Sequence, residues 1–137
     1  MNLMREIRHG LRTDTILQAV VGEDDDGEIK VYSPLAKSNA VAPYVTLQMN
    51  ITVGPIDAYG QEEAVEAFRL TVSSWGRDTN EGWQVADVAD DAIKRADYSF
   101  EPAHLIFVRR ATTPHDLIDR DTGLAYVVVQ YDFAIGR

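Results

Sequence analysis

"PYVTLQMNITV", residues 43–53, alternates without a break: Val45, Leu47, Met49, Ile51 and Val53 fall on one side, Thr46, Gln48, Asn50 and Thr52 on the other. A period of two over this length specifies a half-buried strand with one face on a core and the other polar. The polar face carries amides and hydroxyls, groups suited to contact more than to chemistry. The same alternation returns in "EAFRLTVSSW", residues 66–75, where Phe68, Leu70 and Val72 oppose Arg69, Thr71 and Ser73. It returns again in "LAYVVVQYDFAI", residues 124–135, where Val127, Val129, Tyr131, Phe133 and Ile135 alternate with Val128, Gln130, Asp132 and Ala134. Two shorter stretches, "IKVY" at 29–32 and "HLIFVRR" at 104–110, read as a brief alternating strand and a short buried one.

Helical spacing governs the rest. Residues 3–12 place Leu3, Met4, Ile7 and Leu11 on one face and Arg5, Arg8 and Arg12 on a neighbouring one, giving an amphipathic helix with a basic flank. Thr13 and Asp14 are cap-type residues, so a bend near Thr13 and a second short helical segment ended by Gly22 are predicted. In "RDTNEGWQVADVADDAIKRAD", residues 77–97, Asp78 and Glu81 have capping-box spacing. Val85, Val88, Ala89, Ala92, Ile93 and Ala96 then form an apolar face, and Asp87, Asp90, Asp91, Lys94 and Arg95 a polar one. The order of elements predicts an α+β fold: a mostly antiparallel sheet of four to five strands with an N-terminal helix and a second helix packed on one face. With 137 residues, the chain is expected to form one domain, 1–137.

Composition excludes several functions. There is no Cys, so disulfide scaffolds, thiolate nucleophiles and cysteine zinc sites are ruled out. Thirteen basic against twenty-two acidic residues give a net charge of −9, which repels a polyanion and argues against ordinary nucleic-acid binding. No apolar run approaches a membrane span and the first residues lack a signal-peptide core, which predicts a soluble protein made in the cytosol.

Candidate chemistry is thin. "EDDDGE", residues 23–28, invites a calcium-loop reading, but with Gly27 at the sixth position Gly22 falls first and Ser33 twelfth, so two ligand positions fail and a solvated turn is expected. "DTG", residues 121–123, matches the tripeptide of aspartic proteases, yet it follows the polar "DLIDR" where that chemistry needs a buried strand end, and it reads as a turn. His9, His104 and His115 lack metal-ligand spacing, and no nucleophile elbow or Gly-rich phosphate cradle is present. No catalytic, cofactor or metal residue is therefore assigned. Trp75 and Trp83 bracket a turn and read as packing residues. The connection "GPIDAYGQEEA", residues 54–64, is longer than a tight hairpin needs, which marks Asp57 and Tyr59 as contact candidates.

The combination is more telling than any single motif: Pro43-Tyr44 opening an alternating strand, a long loop, a strand ending in "VSSW" at Trp75, an Ala-rich helix, and a terminal run from Asp121 to Ile135. It resembles the small tail-completion and tail-terminator proteins of long-tailed phages and phage-derived gene transfer particles. The resemblance implies a virion structural protein, not an enzyme: a ring of six subunits that caps the tail tube, stops its growth and offers a joining surface to the head. Its implied partners are further copies of itself, the tail tube protein and a head-completion or neck protein, with DNA passing through and no membrane contact. Arg5, Arg8 and Arg12 and the acidic loops would then be complementary halves of a head-to-tail contact, Asp57 and Tyr59 would touch a neighbour, and Asp24, Asp25 and Asp26 would line the lumen and repel DNA. Two alternatives stand beside this reading: a head-completion protein of the neck, and a small-ligand module or enzyme with a pocket around His104, Asp132 or the Trp pair.

Overall fold

A computed structural model describes residues 3–56, 65–101 and 103–136, with the backbone alone for 50–56 and 65. Helix α1 (Leu3–Arg12) stops where Thr13 closes it: the Thr13 hydroxyl donates to the Gly10 carbonyl at 3.0 Å. Helix α2 (Thr15–Val21) restarts under the Asp14 cap, whose carboxylate accepts from the N–H groups of Ile16 and Leu17 at 3.1 and 3.0 Å. The bend expected near Thr13 is present. Gly22, with φ of 71°, ends α2 in a conformation that favours glycine.

Strands β1 (Val31–Tyr32), β2 (Tyr44–Ile56), β3 (Val65–Gly76), β4 (His104–Arg110), β5 (His115–Ile118) and β6 (Ala125–Gly136) form one sheet; α3 (Thr79–Arg95) joins β3 to β4. The order is β1-β2-β3-β6-β4, with β5 pairing the same side of β6 as β4. Every pairing is antiparallel except that of β1 with β2. The expected α+β architecture is therefore present, with one more strand than expected, since β5 was read as loop.

The alternation sets which face is buried. Val45, Leu47, Phe68, Leu70, Val72, Val127, Val129, Phe133 and Ile135 all lie at or near zero exposure and share one core with Ile7, Leu11, Leu17 and the apolar face of α3. Burial of a side chain of this size contributes about 1.5–3 kcal/mol, so this shared face carries most of the stabilisation. Phe68 and Phe133 stack across β3 and β6 at 5.0 Å, with Tyr98 edge-on to Phe133 at 5.6 Å.

Two expectations are corrected. "HLIFVRR" is not a buried strand: β4 lies on the sheet's edge, and Ile106 and Phe107 remain 47% and 40% exposed. Its apolar residues looked like core because a local run cannot say whether a strand is flanked on both sides. Asp90, assigned to the solvent face of α3, is buried at 9% exposure.

The turn from β3 into α3 is exceptionally close. A Cβ on Gly76 would come within 2.3 Å of the Gly82 backbone nitrogen, whereas one on Gly82 would meet nothing nearer than 3.7 Å. Gly76→Ala should therefore destabilise by about 3 kcal/mol, while Gly82→Ala should be neutral or stabilise by about 0.5–1 kcal/mol through helix propensity. Thermal unfolding of the two variants checks the contrast; equal effects would mean the turn opens freely.

Candidate functional site

Three places in the fold concentrate charge or exposed apolar surface: the acidic turn beside β1, the node around Asp90, and the two lateral edges of the sheet.

The acidic turn is folded onto β1 and is not a loose run of charge. Asp24 accepts from the N–H groups of Asp26 and Glu28 through one oxygen, at 2.9 and 3.0 Å. Its other oxygen takes the Tyr32 hydroxyl at 3.1 Å and the Lys37 ammonium at 2.9 Å. Lys37 also reaches Asp26 at 2.9 Å and Glu28 at 3.1 Å, and Gly27 turns the chain with φ of 77°. The Lys37 hydrogen bond, followed by the Glu28 N–H and the Tyr32 hydroxyl, outweighs desolvation and holds the Asp24 carboxyl at about 2. Burial, then the Asp24 contact, pushes the Tyr32 phenol to about 12. Between this turn and residues 37–41 lies a cleft of about 80 Å³ lined partly by Tyr32, Lys30 and Val41.

At the second place, the Tyr131 hydroxyl donates to Asp90, which also takes Lys94 at 2.9 Å and Arg110 at 3.1 Å. Burial alone raises the Asp90 carboxyl, but the hydrogen bonds from Tyr131, Lys94 and Arg110 bring it below its ordinary range. Burial drives the Tyr131 phenol strongly upward. Three donors on a carboxylate inside the helix–sheet layer make a structural clamp between α3, β4 and β6. Sequence reasoning missed it; the only local hint was Tyr131 on the apolar face of β6, whose hydroxyl required a partner.

The sheet's outer face carries a row of aromatic rings at one end. Tyr44 stacks on Trp75 at 5.6 Å, Trp75 stacks on Tyr126 at 4.4 Å, and Tyr32 meets Tyr44 edge-on at 6.0 Å. Trp75 Nε1 donates to the Thr46 hydroxyl at 3.1 Å. Farther along this face Arg69 grips Asp132 through both guanidinium arms at 2.9 and 3.2 Å.

The residues expected to act together are dispersed. Arg12 turns inward: Nε and Nη2 donate to the Val31 carbonyl at 3.0 and 2.7 Å, tying α1 to β1. Arg5 and Arg8 flank a shallow groove on α1 with Glu6 and His9. Asp25 and Asp26 project from the turn. Asp57 and Tyr59 lie outside the described residues. His104 and His115 are exposed on the edge strands, and "DTG" is a turn closed by a hydrogen bond from Gly123 N–H to the Asp119 carbonyl. Among the described residues no group of three or more His, Asp or Glu could hold a metal ion, and no helix is long and apolar enough to cross a membrane.

This is an α+β module whose buried charges are spent on holding the fold and whose exposed apolar residues sit at the edges of its sheet. The chain belongs to the tail completion protein gp17 family, whose model matches residues 5–136, and it is a structural protein of phage-type tails. None of the curated proteins matches it. Among solved structures, a chain from the virion of a native gene transfer agent particle has the same fold, with a TM-score of 0.68 and 16% identity over 98% of this chain and 95% of that one. The gp17 protein of bacteriophage SPP1 superposes with a TM-score of 0.59 and 16% identity, over 96% of this chain and 86% of that one. At this identity the two structures speak to the fold alone.

The acidic turn yields a direct prediction. Asp24 should titrate near 2 in carboxyl-carbon NMR, and Lys37→Met should move it toward the ordinary value of about 3.9. Because the folded value is the depressed one, the turn's contribution to stability is complete above about pH 4 and is lost as pH falls toward the folded value. An unshifted Asp24 in the wild type would mean that the turn is open in solution.

Proposed function

We propose that copies of this chain close into a ring at the end of a phage-type tail tube, stop its growth and present the surface on which the head is joined. The observation that carries this reading is the tail completion match over nearly the whole chain, residues 5–136. The fold supports it. The sheet is open at both sides, with a two-residue strand at one and two short strands at the other, and each open side carries exposed large apolar residues. Edges of that kind are templates for further contact unless something covers them.

In this proposal the partners are other copies, the tail tube protein and a head-completion or neck protein, and the protein resides at the head–tail junction of the particle. Six is the subunit number carried over from the family resemblance. Asp57 and Tyr59, with the rest of the connection between β2 and β3, belong to the contact with tube or neighbour, and Arg5 and Arg8 on α1 remain a basic contact surface. The turn at Asp24, Asp25 and Asp26 is reassigned from lumen lining to a subunit contact. Asp24 is already engaged by Tyr32 and Lys37, and the turn packs against the β1 edge of the sheet.

Polymerising purified tube protein with and without this chain tests the function. Tubes should become shorter in its presence and carry annular density at one end in negative stain. Tube lengths unchanged at saturating concentration, with no density at tube ends, would overturn the terminating role.

A further inference from the structure

Opposite edges of the sheet carry exposed apolar residues at the same level along the strands. On one side, Leu117 and Ile118 of β5 are 42% and 65% exposed; on the other, Leu35 and Val41, in the connection from β1 to β2, are 78% and 69% exposed. The register relates them. His115 pairs with Val128, Val128 with Ser73, Ser73 with Thr46, and Thr46 with Tyr32, so one row crosses the sheet from β5 to β1. Beside it runs Leu117, Tyr126, Trp75 and Tyr44, the row in which the aromatic rings stack. Ala36 and Ala40 of the connection pack on Tyr32 and Tyr44, which seats the second patch at the end of the same bar.

Charge distinguishes the two edges. Strands β4 and β5 with the residues between them, 104–118, hold Arg109, Arg110, His104 and His115 against a single acid, Asp116. In a chain of net charge −9 this is a locally basic strip. The opposite edge is flanked by Glu23, Asp24, Asp25, Asp26 and Glu28, of which Lys37 pairs three. Among the described residues neither Glu23 nor Asp25 has an ion pair, and Arg109 has only the Phe107 ring, 5.1 Å away. The cleft beside Val41, walled by these carboxylates and by Tyr32 and Ala40, suits a side chain with an apolar stem and a cationic head.

We propose that the β5 edge of one copy docks on the Leu35–Val41 connection of the next, with Leu117 and Ile118 against Leu35 and Val41 and the basic strip toward the acidic turn. The occupant of each patch is thus a second copy of this chain, and the inference rests on the ring reading above. Two different patches that meet head to tail generate a ring when the rotation closes and an open helix when it does not. Patches at one level favour closure, because stepping from copy to copy then adds little rise along the strands. The stacked aromatic bar would hold the spacing between the patches, and with it the subunit count.

The absence of Cys makes the test clean. The double variant Leu35→Cys/Ile118→Cys, treated with a short bismaleimide at concentrations where light scattering finds oligomers, or on tube ends if it finds none, should give a ladder of linked copies. The ladder should end in one dominant band of fixed number without free thiol. Each single variant should give no more than a trace of dimer. If oligomers are present but the double variant stays unlinked, or if one single variant links as efficiently as the pair, this assignment of surfaces is overturned while the ring reading stands. A monomer at every concentration, with no binding to tube ends, would overturn both.

Discussion

The hydroxyl of Tyr131 is the polar atom around which the helix–sheet layer is organised. It lies in the middle of β6, on the face that packs against α3, where an unpaired hydroxyl would cost free energy. Asp90 supplies the acceptor, and a carboxylate there must itself be neutralised. Lys94 from the same helix and Arg110 from β4 do so. One buried phenol thus sets the position of α3 over the sheet and draws the edge strand β4 into the same clamp. Replacing the whole set by apolar residues could be as stable, but removing one member leaves the others buried and unpaired.

A similar logic ties the N-terminal helices in place. Asp14 serves α2 as a cap and, through Oδ2, holds Arg95 at the end of α3 at 2.7 Å. Arg12 spends its guanidinium on the Val31 carbonyl, where β1 is too short to satisfy its own backbone. Among the described residues no buried side-chain nitrogen or oxygen is left without a hydrogen-bond partner. With its buried polar groups satisfied in this way, the protein's surplus interaction capacity lies outside: in exposed aliphatic side chains at the sheet edges and in unpaired charges of opposite sign on either side.

The outer face of the sheet is polar along most of its length and aromatic at one end. Arg69 with Asp132 and Thr71 with Gln130 stitch β3 to β6 there, and the rings of Tyr44, Trp75 and Tyr126 stack across three strands. Cross-strand aromatic pairs contribute about 0.2–1 kcal/mol each relative to alanine pairs. Stacked rings have few torsional freedoms, and a stiff row fits a structural protein of a tail, where geometry has to be reproduced from copy to copy.

The sequence by itself determined the types of the main elements, their faces and the bend at Thr13, because these follow from local periodicity and capping. Val45 with Leu47, Phe68 with Leu70, and Val127 through Ile135 announce their buried face from spacing alone, and Asp78 announces its helix. The tail-completion pattern was legible for the same reason, since it consists of element order and end residues. Tertiary structure alone decided that "HLIFVRR" is an edge, that "HDLI" is a strand, that Asp90 is buried and Arg12 turned inward, and that Leu35 and Val41 share a level with Leu117 and Ile118. Each of these depends on which distant segment lies alongside: an edge exists only relative to the strands that pair, and a charge is buried only if its partners arrive from other elements. Spacing along the chain encodes the face of a segment, whereas its neighbours are set by the packing of the whole.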